Sequence, residues 1–322
     1  MGARRPAAGS LATVVGMTND RWFGWAVAAC VATLTVAGGA WIVSTGPSSG
    51  TAEPSARAAA PAGYNPRFVR YADHDQDVVV IVAAAPGKLE VVAAPSDSAD
   101  LPPEDVAVAV DSQAVEPLAD CGWNCVAADA PVLQGDPSFV GVELRRSGRR
   151  PARVAIALPA RRPPSGASLY RAVQRRMGAF RTVRVDERLG NGTSSIRTRF
   201  AFRAPDRMRY RINTGVKAVV IGGRRWDWAG GRWQAVPTEP IRSPAYVWAG
   251  ARLPRFLGRE RLDGRNVRLL SVFRNEPRFP AWFRLAVDDH DRVVRADMLS
   301  VGHFMVERLA RFGEPVTIVP PR

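Results

Sequence analysis

Residues 195–213 read SIRTRFAFRAPDRMRYRIN, and this stretch decides the fold of the C-terminal half of the chain. Ile196, Phe200 and Phe202 alternate with arginines, and the alternation returns after the Ala-Pro-Asp break at 204–206. Successive side chains of a β-strand point to opposite faces of a sheet, so a period of two indicates strands. The stretch therefore predicts a hairpin in an antiparallel sheet with one apolar face and one arginine-rich, solvated face.

The pattern continues outward from this hairpin. Residues 224–229, RRWDWA, alternate again, and further strands are predicted at 266–274, 282–288 and 293–300, with a closing segment at 314–319. Upstream, residues 168–180 space their apolar side chains along one face of a helix. We expect this helix and the Pro-interrupted apolar segment 246–257 to cover the sheet.

The aromatic residues of the predicted sheet have two interpretations, and both stay open at this point. A single curved sheet cannot fill its own concave face, so its aromatic side chains either line a ligand cavity or fill a core. The candidate ligand-binding residues are Phe200, Phe202, Trp226, Trp228, Trp233, Trp248 and Phe273.

The middle of the chain has a different organisation. Residues 64–160 contain short apolar runs separated by Pro, Gly and Asp clusters, with no helical pattern of useful length. This is typical of a small β-sandwich. The Pro-rich link at 159–167 then marks the boundary with a second domain, 161–322.

The N-terminal region predicts export. Residues 22–43 carry no charge and would reach about 33 Å as a helix, enough to cross a bilayer. Arginines on their N-terminal side place residues 1–21 in the cytoplasm as a short tail. Residues 44–63 are a Pro/Ala/Ser/Gly linker. The alternative is a signal peptide cleaved near Gly38-Gly39-Ala40; both alternatives place the body outside the cytoplasm, at the cell membrane.

Charge and cysteine usage agree with export. The net charge is +15, and almost all of the positive charge is arginine. The arginine excess has two interpretations: it reflects a GC-rich genome, or it attracts lipid headgroups or other anionic envelope polymers. Nucleic acid is disfavoured as a partner, because no recognition helix, zinc-finger spacing or RNA-binding motif is present. Cys121 and Cys125 are expected to form a disulfide, while their three-residue spacing argues against a thioredoxin-like activity.

No pattern typical of an enzyme appears. The chain has three histidines, and it lacks a Gly-x-Ser-x-Gly elbow, a His-Glu-x-x-His motif and a phosphate loop. Met298, His303 and Met305 form the only grouping suited to a metal, because thioether and imidazole ligands favour copper(I). The alternative is that the two methionines are core residues and His303 bonds locally. The acidic run at 73–77 is expected to be a solvated loop, since it lacks the glycine and final glutamate of a calcium loop.

Short phrases in the second half resemble a known family. The helix, then APDRMRYRINTG, VVIGGRRWDWAGGRWQAVP and a closing FGEPVTIVPP are similar to the bacterial lipoprotein-carrier (LolA-like) fold over residues 168–322. That resemblance implies a curved antiparallel half-barrel closed by helices over an apolar cavity. The pairing of a CGWNC-bearing β-domain with GHFM and FGEPVTIVPP also resembles the soluble C-terminal part of copper-resistance D-like membrane proteins. The first domain would then be an immunoglobulin-like envelope sandwich.

The sequence thus predicts a mainly β, single-pass envelope protein: a transmembrane helix, an immunoglobulin-like sandwich and a LolA-like half-barrel. The favoured function is non-catalytic binding of an apolar, lipid-like or lipoprotein ligand by the second domain, without a cofactor. One alternative is a copper-linked envelope protein. Another is a structural or partner-binding protein, with a partner membrane protein supplying further transmembrane helices.

Overall fold

A computed structural model describes residues 67–97, 100–274 and 280–322. Over these residues the chain forms strands, one short 3-10 helix (Pro103–Asp105) and one α-helix, which confirms the prediction of a mainly β protein. The predicted tail 1–21, transmembrane run 22–43 and linker 44–63 lie outside the described residues. Within the described ranges, no helix is long and apolar enough to cross a membrane.

The first nine strands form two sheets. In chain order they are β1 (Val69–Asp75), β2 (Val78–Ala85), β3 (Lys88–Pro95), β4 (Val106–Val110), β5 (Gln113–Ala114), β6 (Ala119–Gly122), β7 (Cys125–Asp129), β8 (Ser138–Leu144) and β9 (Ala152–Leu158). One sheet has the order β1-β2-β3-β7-β6 and the other β5-β4-β8-β9, with antiparallel neighbours throughout.

These two antiparallel sheets pack face to face around a shared core. Strand β9 alternates buried and outward residues along its whole length, because only one of its faces meets the core. Strand β2 reads VVVIVAAA and is buried at every position, because both of its faces are covered. The core between the sheets is almost entirely aliphatic, with Val80, Val82, Leu89, Val91, Val108, Val140, Val142, Leu144, Ile156 and Leu158 among its members.

The rest of the chain forms one helix and one long sheet. They are α1 (Ala167–Gly178), β10 (Thr182–Gly190), β11 (Ser195–Arg203), β12 (Arg207–Ile212), β13 (Lys217–Ile221), β14 (Arg224–Ala229), β15 (Arg232–Pro237), β16 (Arg252–Leu262), β17 (Arg265–Arg274), β18 (Ala281–Val287), β19 (Val293–Ser300) and β20 (His303–Ala310). The eleven strands run in the order β15-β14-β13-β12-β11-β10-β20-β19-β18-β17-β16. The predicted antiparallel meander is confirmed, and β16 occupies the second half of the segment expected to be a cover.

Strand register defines two faces of this sheet, because directly opposed residues share a face. Glu187, Thr198 and Glu307 lie on one face, which we name the helix face. Helix α1 lies against it: a Cβ added at Gly166 would meet the side chain of Leu270, which the register places on the same face.

Two hydrogen bonds fix the helix to the segment before β16. Tyr170 donates its hydroxyl to the carbonyl of Trp248 at 2.9 Å, and Tyr246 donates to the carbonyl of Met177 at 3.2 Å. Trp248 is 1% exposed. The predicted cover of helix plus segment 246–257 is therefore present on this face as far as residue 251, where β16 follows.

The opposite face, which we name the sandwich face, packs against the first sheet. Side chains of β2, β3 and β7 form one apolar cluster with Phe273, Trp282 and Phe304 of the long sheet. The indole nitrogen of Trp282 donates to the carbonyl of Arg70 at 2.8 Å. This second covering explains why β2 is buried on both sides.

Two tight turns also join the sheets. Gly192, with φ +90°, lies so close to the backbone of Gln76 that a Cβ would clash with it. Gly302, with φ +66°, would place a Cβ 3.2 Å from the carbonyl oxygen of Ser96. Both positions need glycine, because an L side chain rarely adopts positive φ and no room exists for one.

Two local expectations differ from the structure. Residues 314–319 form no strand; Val316 and Ile318 instead pack on Ala201 and Val219 of the sandwich face. Asp77 is not in a solvated loop: it is 5% exposed and forms ion pairs with Arg146 and Arg149. A carboxylate becomes buried where basic side chains compensate for its lost hydration.

The described residues all belong to one compact unit. The proposed boundary at residue 161 falls between β9 and α1 and stays a prediction, as does the relation of the sandwich to immunoglobulin domains.

Candidate functional site: a cavity between two sheets

A cavity of about 580 Å³ lies between β1 and the sandwich face of the long sheet. Apolar side chains of Trp282, Leu299, Phe304 and Val306 form part of its lining. Ala72 and Met305 also line it. The polar and charged part of the lining comprises Asp73, His74, Arg188, Arg284, Arg295, Asp297 and the loop between β10 and β11. The cavity therefore combines an apolar surface with three guanidinium groups.

Strand register explains why these residues converge. Trp282 opposes Leu299, and Leu299 opposes Phe304, so the three side chains share the sandwich face across three strands. Arg284 opposes Asp297 on the same face, one pair further along the strands. Alternation along β18, β19 and β20 thus places one apolar row and one charged row side by side.

The β10–β11 loop forms one wall. The side-chain oxygen of Asn191 accepts hydrogen bonds from the backbone N–H of Thr193 at 3.1 Å and of Ser194 at 2.9 Å. Such an Asx turn orders the loop without help from a strand ladder. The close approach of Gly192 to Gln76 then seats the loop against the β1–β2 turn.

The charges of the lining do not cancel. Asp297 accepts from Arg284 at 2.9 Å and from Arg295 at 2.7 Å, so one carboxylate serves two guanidinium groups. Arg188 has no ion-pair partner among the described residues. Hydrogen bonding from His74 lowers the pKa of Asp73, with a smaller contribution from Arg284, so this carboxyl stays ionised. Three guanidinium groups against two carboxylates leave the cavity favourable to an anion.

The one histidine of the cavity contacts an aromatic ring. His74 is the only histidine in the lining; its ring lies 4.2 Å from that of Phe304, centroid to centroid. Within the described ranges no hydroxyl hydrogen bonds to His74, and the hydroxyls of Thr193 and Ser194 donate instead to Asn191. A nucleophile–base pair requires such a contact.

The structure does not bring the seven sequence-predicted ligand-binding residues together, and none of them lines this cavity. Phe200 and Phe202 lie on the helix face, with ring centroids 5.7 Å apart. Trp248 is buried beneath α1.

The other four residues are on the opposite side of the sheet. Trp226, Trp228 and Trp233 lie on the sandwich face at β14 and β15, with Trp226 and Trp233 packed near Val316 and Ile318. Phe273 lies under the first sheet, with the guanidinium of Arg70 4.8 Å from its ring centroid. The C-terminal segment thus packs on Trp226 and Trp233, and the sandwich covers Phe273, whereas we expected the helix to cover them.

The predicted copper ligands are neighbours in the sheet. Met298 and Met305 are buried and directly opposed on the helix face. His303 opposes Ser300, and its Nδ1 lies 2.9 Å from the carbonyl oxygen of Val301. Among the described residues no group of three or more His, Cys, Asp or Glu side chains could hold a metal ion. The copper site stays a prediction.

The predicted disulfide is present. Cys121 and Cys125 are bonded, with their Cα atoms 5.1 Å apart. Cys125 is 3% exposed and belongs to the apolar cluster between the sheet β1-β2-β3-β7-β6 and the long sheet. The bridge therefore joins β6 to β7 at the surface that faces the long sheet.

One feature of the helix face escaped the sequence reasoning. Glu187 of β10 and Glu307 of β20 are directly opposed, and each is 7% exposed. Burial raises the pKa of Glu187 to about 7, although the neighbouring Thr198 hydroxyl opposes the rise. Burial, together with the charge of Glu187, raises the pKa of Glu307 to about 8.

No family model and no curated protein matches the chain. Solved structures show weak likeness. The lipoprotein LppX of Mycobacterium tuberculosis is 17% identical, with a TM-score of 0.37 over 47% of this chain and 97% of LppX. LprF of Mycobacterium bovis is 16% identical, with a TM-score of 0.36 over 50% of this chain and 99% of LprF.

A third structure is a domain named for the sorting of outer membrane lipoproteins, from Vibrio parahaemolyticus. It is 11% identical, with a TM-score of 0.25 over 46% of this chain and 93% of that domain. Likenesses at this level carry no argument about ligand or partner.

Proposed function

We propose that this protein is a non-catalytic, extracytoplasmic binding protein, and that it holds an amphipathic ligand with an anionic headgroup in the cavity between β1 and the long sheet. The observation that supports this most directly is the lining itself. Trp282, Leu299 and Phe304 offer apolar surface to a chain, and Arg188, Arg284 and Arg295 offer guanidinium groups to a headgroup.

The size of the cavity agrees with this ligand class. Sites for small molecules usually enclose about 300–1,000 Å³, with mainly apolar walls and a few charged groups that fix orientation. A volume of about 580 Å³ accommodates one alkyl chain of moderate length with its headgroup. Guanidinium groups bind carboxylates and phosphates through two parallel hydrogen bonds, so the headgroup is a carboxylate or a phosphate.

The cellular setting is also part of the proposal. The uncharged run 22–43 would anchor the chain in the cell membrane, and the linker 44–63 would hold the body outside it. The cavity lies on the face of the long sheet opposite the helix, whereas the LolA-like resemblance implies a cavity beneath helices, so the proposal rests on the lining and not on that resemblance. A partner membrane protein remains part of this proposal, because the chain offers one predicted transmembrane segment.

A series of detergents with one chain and different headgroups tests the proposal. Dodecyl phosphate is expected to bind, whereas dodecyltrimethylammonium is not, and dodecyl maltoside binds more weakly than the phosphate. Arg188→Gln should weaken binding of dodecyl phosphate about tenfold, because one charge-assisted hydrogen bond is lost.

The matched control is Arg171→Gln, which removes an exposed arginine of α1 away from the cavity. Isothermal titration calorimetry on the full chain gives the affinities. Equal affinity for the three detergents, or an Arg188→Gln variant that binds dodecyl phosphate as the unmodified protein does, would contradict the proposal.

The copper-linked alternative has one observation in its favour, the direct opposition of Met298 and Met305. If this pair binds copper(I), Met305→Leu should reduce the affinity measured by competition with a chromophoric chelator at least tenfold, while the volume-conserving change keeps the core packed. Unchanged affinity would remove this alternative.

A further inference from the structure

Six basic side chains form a continuous strip on the sandwich face, beside the cavity. In β10–β13 their positions are set by register: Arg188 opposes Arg197, Arg199 opposes Arg211, and Arg211 opposes Lys217. Arg209 lies on the same face, opposite Ala201. We name Arg188, Arg197, Arg199, Arg209, Arg211 and Lys217 the arginine strip.

The strip is exposed and poorly neutralised. The Arg199 side chain is 86% exposed, and its contact with Asp186 is 3.4 Å long and open to solvent, so water screens it strongly. Arg188, Arg197, Arg209 and Arg211 form no ion pair with any other described residue.

Like charges placed directly opposite each other destabilise a sheet. Three such pairs therefore work against folding, and the described residues offset them only in part, through the exposed Asp186 beside Arg199 and the Trp228 ring beside Lys217. An external anionic surface would offset them by neutralising the strip.

The shape of the arginine strip indicates which kind of anionic surface it would bind. It crosses four adjacent strands, about 15 Å at the usual strand spacing, and it continues to the cavity mouth through Arg188. A two-dimensional array of cations suits a plane of phosphate headgroups better than one small anion. A coil of about 20 residues spans roughly 25 Å, so the linker at 44–63 and the membrane anchor at 22–43 that the sequence predicts would keep the strip within reach of a bilayer.

We propose that the arginine strip docks on an anionic phospholipid bilayer and thereby presents the cavity to the lipid headgroups. This inference rests on the proposed function, because it names the surface from which an amphipathic ligand would enter. Each basic side chain near an anionic membrane raises association roughly fivefold, so the strip is strong enough to hold a tethered domain against the surface.

The test uses the full chain in nanodiscs of phosphatidylcholine alone or mixed with phosphatidylglycerol. Trace modification of arginines by phenylglyoxal is followed by peptide mass spectrometry. Arg197 and Arg209 should react roughly fivefold more slowly in the anionic discs, and added salt should abolish the difference. Arg171 should react equally in both.

The double variant Arg199→Gln/Arg211→Gln should lose this protection, since two charges are worth roughly 25-fold in association. The control pair Arg171→Gln/Arg175→Gln removes two exposed arginines of α1 and should keep it. Equal reactivity of the strip in both discs overturns the inference. Protection by soluble polyphosphate in phosphatidylcholine discs, equal to that in anionic discs, also overturns it and indicates a soluble polyanion.

Dodecyl phosphate binding, measured on the same variants, separates this inference from the proposed function. Arg199→Gln/Arg211→Gln should bind dodecyl phosphate normally, because neither residue lines the cavity. Strip protection without any dodecyl phosphate binding would contradict the proposed ligand and leave the membrane surface standing.

Discussion

The buried pair Glu187 and Glu307 makes stability depend on pH in an unusual direction. Both carboxyls have pKa values raised above their ordinary 4.5, to about 7 and about 8. The native state therefore retains protons that the unfolded chain releases near pH 4.5. The stabilisation from these protons is complete below pH 4.5 and is lost as the pH rises through 7 and 8.

The size of the effect follows from proton linkage. Each retained proton changes the free energy of unfolding by about 1.4 kcal/mol per pH unit. From pH 5 to pH 7 the contribution of this pair to the free energy of unfolding therefore falls by about 3 to 5 kcal/mol. The pair titrates as a unit, and no basic side chain among the described residues acts on it.

The perturbation is Glu187→Gln/Glu307→Gln, which keeps the shape of both side chains and removes their titration. Urea unfolding, followed by tryptophan fluorescence at pH 5, 6, 7 and 8, gives the free energies. The difference between pH 5 and pH 7 should fall by about 3 kcal/mol in the variant relative to the unmodified protein. Glu104→Gln, an exposed position in the 3-10 helix, is the control and should leave the profile unchanged. Parallel profiles for the double variant and the unmodified protein would refute the reasoning.

Three further predictions concern the contacts that build the cavity. Gly192→Ala should destabilise the fold by about 2 kcal/mol in thermal unfolding, since a Cβ there meets the Gln76 backbone at positive φ; an unchanged melting temperature would show that this turn is not seated on β1–β2. Asp77→Asn should cost about 3 kcal/mol in urea unfolding, because it leaves the buried Arg146 guanidinium without its carboxylate; a cost below about 1 kcal/mol would show that the pair is hydrated. Trp282→Phe should cost about 1–2 kcal/mol, because the Arg70 carbonyl loses its indole donor while apolar contact is largely kept; no loss would contradict the packing of the two sheets.

Individual helices and strands could be predicted from the sequence wherever apolar and polar residues alternate regularly and turn residues mark the ends. Strands β11 and β12 follow directly from SIRTRFAF and RMRYRI, and α1 from its apolar spacing. Short-range patterns decide such elements, because they depend on side chains only two to four positions apart.

The packing of one sheet on another could not be predicted from local sequence patterns. Arg70 and Trp282 meet across 212 residues of chain, and nothing local in either segment specifies the other. One signal did exist: VVVIVAAA in β2 has apolar residues in both phases, which indicates a strand covered on two sides. No local pattern shows which segment packs on the three tryptophans of β14 and β15. We therefore expected the helix and segment 246–257 to cover them.

The candidate site shows the same division. No local pattern marks Arg188, Arg284 and Arg295 as site residues, and only the position of β1 turns this part of the sandwich face into a cavity. Glu187 and Glu307 carried a signal that could have found them. Each occupies the apolar phase of its strand, between Val185 and Leu189 and between Met305 and Leu309. A glutamate in that phase indicates a buried carboxyl.

The central claim is that the cavity between β1 and the long sheet holds the amphipathic ligand, and photocrosslinking tests it most directly. A dodecyl phosphate that carries a diazirine in its chain is irradiated with the full-length protein, and the labelled peptides are identified by mass spectrometry. Labels are expected on Trp282, Leu299 and Phe304, and unmodified dodecyl phosphate should compete for them. Labels confined to the helix face, at Phe200 and Tyr210, would contradict it and place the ligand on the opposite side of the sheet.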